Sequence, residues 1–150
     1  MQFSDYPISQ EIKEQLKALG FKRPTDIQFK AITPILNGAD VFGIAQTGTG
    51  KTAAFAIPIL HKLSSVKARS KSPRCIVMAP TRELAEQIKQ AFESIGKGSG
   101  VRVTAILGGM EQDKQISELK RGTDIVVATP GRVFDLRSQG YLSLDSIQFL

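Results

Sequence analysis

The sequence holds a single cysteine, a single histidine and a single asparagine. Cys75 has no partner for an internal disulfide, and the apolar Ile76-Val77-Met78 that follows it marks it as a buried strand thiol in keeping with a reducing compartment. His61 stands alone, without a companion at metal-ligand spacing. No apolar run approaches the roughly 20 residues that a membrane-spanning helix needs. The opening "MQFSDYPISQ" lacks the basic-then-apolar pattern of a signal peptide. These absences set the expectation of a cytoplasmic protein with no membrane association.

What is present is the balance of a globular domain: 150 residues, 41% hydrophobic and 23% charged, enough to bury a core. The net charge of +6 suits an anionic partner such as nucleic acid, although many unrelated soluble proteins are as basic.

Ile12, Leu16 and Leu19 recur at helical spacing after Ser9, a suitable N-cap, and Gly20 supplies a stop. A second helix is expected from Thr25 to about Leu36. Beyond Asn37-Gly38, short apolar runs alternate with helical patterns. The runs are "VFGIA" from Val41, "CIVMA" from Cys75, "VTAIL" from Val103 and "DIVVA" from Asp124. The helical patterns are Lys51 to Leu63, Arg82 to Ile95, Glu111 to Lys120 and Gly131 to Gln139. This alternation is the signature of an α/β fold with a parallel sheet and helices on both faces. "SSVKARSKSPR", from Ser64 to Arg74, is expected to be a solvated basic loop, and "GKGSG", from Gly96 to Gly100, a turn. The final "SIQFL" opens another apolar run, expected to be cut inside a strand.

"AQTGTGKT", Ala45 to Thr52, lies between an expected strand and an expected helix, the setting that gives a Walker A match its meaning. Gly48 and Gly50 allow the backbone to turn its amides inward. With the helix N-terminus they form a concave positive site for phosphate oxygens. Lys51 is placed to reach the β- and γ-phosphates, and the Thr52 hydroxyl to ligate magnesium. Ala45 replaces the first glycine of the generic pattern, which is tolerable if its φ stays negative. A P-loop hydrolase also needs an acidic magnesium partner at the end of a neighbouring apolar strand. "CIVMA" leads instead into Pro80-Thr81-Arg82, "VTAIL" into Gly108-Gly109 and "DIVVA" into Thr129-Pro130. The chain is therefore expected to lack its own catalytic carboxylate.

Upstream, "GFKRPTDIQ" (Gly20 to Gln28) follows Phe3. Downstream come "PTRELA" (Pro80 to Ala85), "GG" (Gly108, Gly109) and "TPGR" (Thr129 to Arg132), each just after a strand. In this order the five elements resemble the first RecA-like domain of DEAD-box ATP-dependent RNA helicases: Q motif, motif I, motif Ia, the GG element and motif Ib. The wording around the P-loop looks most like the bacterial RhlE branch. The resemblance covers essentially the whole chain, read as an N-terminal helical Q-motif region, 1–38, and a partial first RecA-like P-loop NTPase domain, 39–150.

The resemblance implies an ATP and Mg2+ site. Gln28 would read the adenine edge, Phe3 would stack on the ring, and Thr25 would couple the Q motif to the P-loop. Phe21, Arg23, Gln46, Thr47, Gly48, Thr49, Gly50, Lys51 and Thr52 would complete the nucleotide site, with Lys51 and Thr52 the catalytic pair. Pro80, Thr81, Arg82, Gly108, Gly109, Thr129, Pro130, Gly131 and Arg132 would hold the backbone of single-stranded RNA. Asp26 stands where family members often have proline, with the flanking residues intact. The resemblance also implies that the family's acidic motif, its Ser-Ala-Thr element and a second RecA-like domain would follow Leu150. The parent would then be the enzyme, unwinding short RNA duplexes at the expense of ATP, and this chain alone would be inactive and inclined to self-associate.

In a parallel sheet all strand ends open on one edge, where ligands bind, so the downstream motifs and the P-loop are expected to share an edge. Arginines, threonine hydroxyls and amides at helix starts suit phosphates without reading base sequence. Each element also has a structural role open to it. Thr25-x-x-Gln28 is a capping box, Thr129-Pro130 an N-cap with proline at N1, and Arg82-Glu83 a charged first turn. A P-loop kinase or GTPase would account for Lys51 and Thr52 but not for the Q-like segment. A non-enzymatic module that binds RNA or a partner without needing nucleotide is the other alternative, and its RNA retention would be unaffected by ATP and by Lys51→Ala.

Overall fold

The computed structural model describes residues 1–68 and 71–150. They form two compact units, one of Met1–Val66 with Ala91–Gly100, the other of Lys67–Gln90 with Val101–Leu150.

The first unit is helical. A 3-10 turn, Phe3–Asp5, leads into α1 (Gln10–Ala18), α2 (Asp26–Leu36) and α3 (Lys51–Ser65), joined by the end of α4 (Arg82–Ile95). Helix α1 buries Ile12 and Leu16, α2 buries Ala31 and Ile32, and α3 buries Ile57, Leu60 and Leu63. Each large aliphatic side chain among them, taken out of water, contributes about 1.5–3 kcal/mol. The α4 end adds Phe92, whose ring lies 6.0 Å from that of Phe55. At Gly96 a side chain would meet Leu60 Cδ2 and the Phe92 carbonyl, both 2.7 Å from the Cβ position, so the turn there packs as closely as glycine allows. His61 Nδ1 accepts a hydrogen bond from the Ser9 backbone N–H at 3.1 Å, tying the start of α1 to α3.

The second unit is built on a parallel sheet of β1 (Cys75–Met78), β2 (Val103–Ile106) and β3 (Ile125–Ala128) in the order β1-β3-β2. Cys75 and Val103 both pair with Ile125. All four residues of β3 are buried, as expected of a central strand in a parallel sheet. Ile76, Ile106, Val126 and Ala128 form one core with Ile116 and Leu119 of α5 (Gln112–Arg121) and Val133 and Leu136 of α6 (Pro130–Ser138). The run at 146–150 meets β1 through a parallel bridge, Cys75 to Phe149.

Two expectations change. Val41–Ala45 forms no strand: it has no ladder among the described residues, and Val41, Phe42 and Ile44 are exposed. An apolar run makes a strand only when a neighbour pairs with its backbone. The linker at 64–74 includes residues 69 and 70, which lie outside the described residues. At its end Arg74 is buried rather than solvated, its Nη2 2.9 Å from Asp124 Oδ1. No helix among the described residues is long and apolar enough to cross a membrane.

Candidate nucleotide site and nucleic-acid edge

In the first unit the loop 46–50 turns into α3 through two left-handed glycines, Gly48 at φ 77° and Gly50 at φ 84°. No other residue type has positive φ among the described residues, so Ala45 keeps the negative φ that its replacement of glycine requires. The first hydrogen bond of α3 runs from Ala54 N to the Gly50 carbonyl. The Lys51, Thr52 and Ala53 amides are thus the free donors of the helix start, where the helix dipole favours an anion. The loop is held in shape by Thr49 Oγ1 donating to the Gln46 carbonyl at 2.6 Å and Lys51 Nζ donating to the Ala45 carbonyl at 2.7 Å. Gln46, Thr47, Gly48 and Lys51 are exposed, and Thr52 is half-buried on the first turn.

Helix α2 braces this loop. Thr25, its N-cap, donates from Oγ1 to the Thr49 carbonyl at 2.8 Å. Gln28 accepts from the Thr25 backbone N–H at 3.0 Å, one arm of the capping box, and donates from Nε2 to the Gly50 carbonyl at 3.2 Å. The structural and coupling roles therefore coexist in the same two residues. Gln28 is 2% exposed, and its Nε2 retains a second N–H.

Phe3, the ring expected to stack on a base, is instead 4% exposed and packs edge-on against Phe21 at 5.7 Å between ring centres. It sits on the 3-10 turn that Asp5 caps by accepting the Gln2 backbone N–H at 2.7 Å. That bond holds the Asp5 carboxyl below its ordinary range. Phe21 is half-buried and lines, with Arg23, Lys22, Lys13 and Lys17, a cavity of about 880 Å³. Phe3 and Phe21 are thus brought together, as are Thr25 and Gln28 with the P-loop.

In the second unit the three downstream motifs follow the carboxyl ends of three adjacent parallel strands and share one edge. Thr81 accepts the Leu84 N–H at the start of α4. Thr129 Oγ1 accepts the Gly108 N–H at 3.0 Å, joining the GG loop to the start of α6. Pro130 stands at N1 of that helix, the position where a missing N–H costs nothing. Gly109 is left-handed at φ 72°, and the Arg82 guanidinium lies 3.4 Å from where its Cβ would be. Arg132 Nη1 donates to the Met110 carbonyl at 3.3 Å and to Gln115 Oε1 at 3.1 Å.

Gln115 was not legible as a site residue. It is buried in α5, donates to the Leu107 carbonyl at 3.1 Å and accepts from Arg132, so it fixes both the GG loop and the arginine. The one sequence signal was a polar amide beside Ile116, on the apolar face of its helix.

Phosphate chemistry fits the first site: a left-handed glycine cap, free helix-start amides and an adjacent ammonium. Thr52 is half-buried on the first turn of α3, and among the described residues no group of three His, Cys, Asp or Glu side chains is arranged to hold a metal.

The DEAD/DEAH box helicase family profile matches residues 25–150. The chain is 46% identical over 153 aligned positions to the ATP-dependent rRNA helicase RRP3 of Kluyveromyces lactis, covering 95% of this chain and 31% of that protein. It is 44% identical to the ATP-dependent RNA helicase DeaD of Escherichia coli, covering 99% of this chain and 23% of that one. The chain thus spans less than a third of the curated relatives it matches. Among solved structures, a DEAD box protein from Methanococcus jannaschii superposes with a TM-score of 0.91 at 36% identity, over 99% of this chain and 40% of that chain. A hypothetical ATP-dependent RNA helicase from Sulfolobus tokodaii gives 0.83 at 38% identity, over 95% and 41%. With a family match over most of its length and an α/β fold of the RecA-like type, the chain belongs to the DEAD/DEAH box helicases.

Proposed function

We propose that this chain is the part of an ATP-dependent RNA helicase that grips ATP and the backbone of single-stranded RNA. Gly48 to Thr52 hold the phosphates, with Lys51 as the point charge and Thr52 as a ligand of the Mg2+ that accompanies ATP. Phe21 faces the base, supported edge-on by Phe3, and Gln28 reads the adenine edge through its remaining Nε2 hydrogen and its carbonyl oxygen. Thr81, Arg82, Gly109, Thr129 and Arg132 receive RNA phosphates, so binding is sequence-independent and salt-sensitive. A second RecA-like domain of the parent completes the ATP site, and closing the two domains strains a short duplex until one strand is released.

The observation that carries this reading is the Thr25 and Gln28 brace on the P-loop, which an ATP-indifferent RNA module has no use for. The test is retention of a single-stranded RNA with and without ATP and magnesium, on the wild type and on Lys51→Ala. ATP should strengthen retention in the wild type only. Retention that ignores both ATP and the substitution would replace this reading with nucleotide-independent RNA binding.

A further inference from the structure

In the second unit, the end of the sheet opposite the GG and Thr-Pro-Gly-Arg loops gathers four cations. Lys71 precedes β1, Arg102 leads into β2, and Lys120 and Arg121 close α5. Gly122, at φ 101°, is what lets them meet: a Cβ there would lie 3.0 Å from Lys71 Cβ and 3.1 Å from Arg102 Nη1. Arg102 Nη1 donates to the Arg121 carbonyl at 3.2 Å, which fixes the direction of the guanidinium. Beside this point Lys71, Lys120 and Arg121 line a groove of about 570 Å³ with Ser117, Tyr141 and a single carboxylate, Asp113. Lys120 Nζ stands 5.5 Å from the centre of the Tyr141 ring.

Helix electrostatics accounts for Lys120 and Arg121, which sit at the negative end of α5. Asp124 accounts for Arg102, whose backbone N–H it accepts at 2.9 Å and whose Nε lies 3.8 Å from it. Neither accounts for Lys71, nor for like charges sharing one groove. Among the described residues no carboxylate comes within ion-pair distance of Lys71, Lys120 or Arg121.

We propose that this groove is an accessory phosphate site, separate from the motif edge, that takes a further stretch of bound RNA. Its chemistry is that of phosphate recognition: ammonium and guanidinium donors, a serine hydroxyl and a tyrosine, with one opposing charge. RNA is favoured over an acidic peptide by continuity. The sheet is four residues deep, about 13 Å, so a strand held at the motif edge carries its next phosphates within a few nucleotides of the groove. This choice of ligand rests on the RNA reading of the motif edge given above.

The test compares a single-stranded RNA just long enough to cover the motif edge with a much longer one, on the wild type, Lys71→Gln, and the triple variant Lys71→Gln, Lys120→Gln, Arg121→Gln. These positions are exposed, so folding is not at stake. Long-RNA affinity should fall in both variants, more in the triple. The slope of log K against log salt should flatten by about 0.7 for each RNA phosphate that the variant no longer neutralises. Short-RNA affinity should hold. Unchanged long-RNA affinity and slope, with short RNA still bound, would overturn this site alone. Failure of the wild type to bind either RNA would overturn the motif-edge reading and this site with it. Polyglutamate that binds the wild type but not the triple variant, while long-RNA affinity is the same in both, would overturn the RNA assignment and give the groove to an acidic protein.

Discussion

Gln28 reaches the P-loop at its tightest point: its Nε2 donates to the carbonyl of Gly50, the left-handed N-cap of α3. A Cβ at Gly50 would collide with that same amide, whereas at Gly48, equally left-handed, it would meet nothing within 4 Å. The two glycines therefore separate backbone strain from side-chain collision. Gly48→Ala should cost the strain alone, about 1–2 kcal/mol. Gly50→Ala should cost more in urea unfolding and should also release Gln28. Equal costs at the two positions would mean that the brace does not press on the loop.

A second prediction concerns acid. His61 accepts the Ser9 N–H through Nδ1, so it must be neutral there, and burial followed by the nearby Lys62 charge lowers its pKa from 6.5. A base with a depressed folded pKa binds its proton more readily when unfolded. Its contribution is therefore whole above about pH 6.5 and is lost as pH falls toward the folded value. His61→Asn supplies an acceptor that does not titrate. It should flatten the fall in stability that sets in as pH drops below about 6.5; parallel profiles for the two proteins would exclude His61 as the cause.

Cys75 begins β1 at 1% exposure, and burial pushes its thiol up to about 12. The thiolate is the reactive form, so at about pH 8 the native protein should resist iodoacetamide and react only once denaturant opens the sheet. Rapid labelling of the native protein would show that β1 opens locally at little cost.

Phe42 and Ile44 are 91% and 82% exposed, in a segment without a ladder among the described residues. An unpaired apolar run invites pairing with another chain. The 150-residue chain should therefore self-associate in a concentration-dependent way, and Phe42→Lys should shift it toward monomer in light scattering. A clean monomer with a cooperative melt would contradict this.

Much of the fold was legible because helix and strand periods are local. The helix Arg82 to Ile95 is found between the expected residues, and three of the four apolar runs after Gly38 become neighbouring parallel strands. "VFGIA" does not, because its period reports only what the run could bury; a strand also needs a partner for its amides. Arg74 was misread for the mirror reason: its partner, Asp124, is distant in sequence. In the site, the capping-box spacing announced only the local bond between Thr25 and Gln28, while the reach of Thr25 to the P-loop was implied by the family resemblance alone. Phe3 could not be told from Phe21, since either aromatic could stack on a base and only packing decides which ring is covered. Gln115 was hidden because its role depends on Leu107 and Arg132, which other elements bring to it.

The central claim is that the P-loop and the Q motif form one adenine-selective nucleotide site. The most direct measurement is a titration of the chain with a fluorescent ATP analogue, with ATP and GTP as competitors, repeated on Gln28→Ala. The account predicts that ATP competes better than GTP in the wild type, and that the substitution weakens binding and abolishes the preference. Equal competition by ATP and GTP in the wild type, or a preference that survives the loss of Gln28, would contradict it.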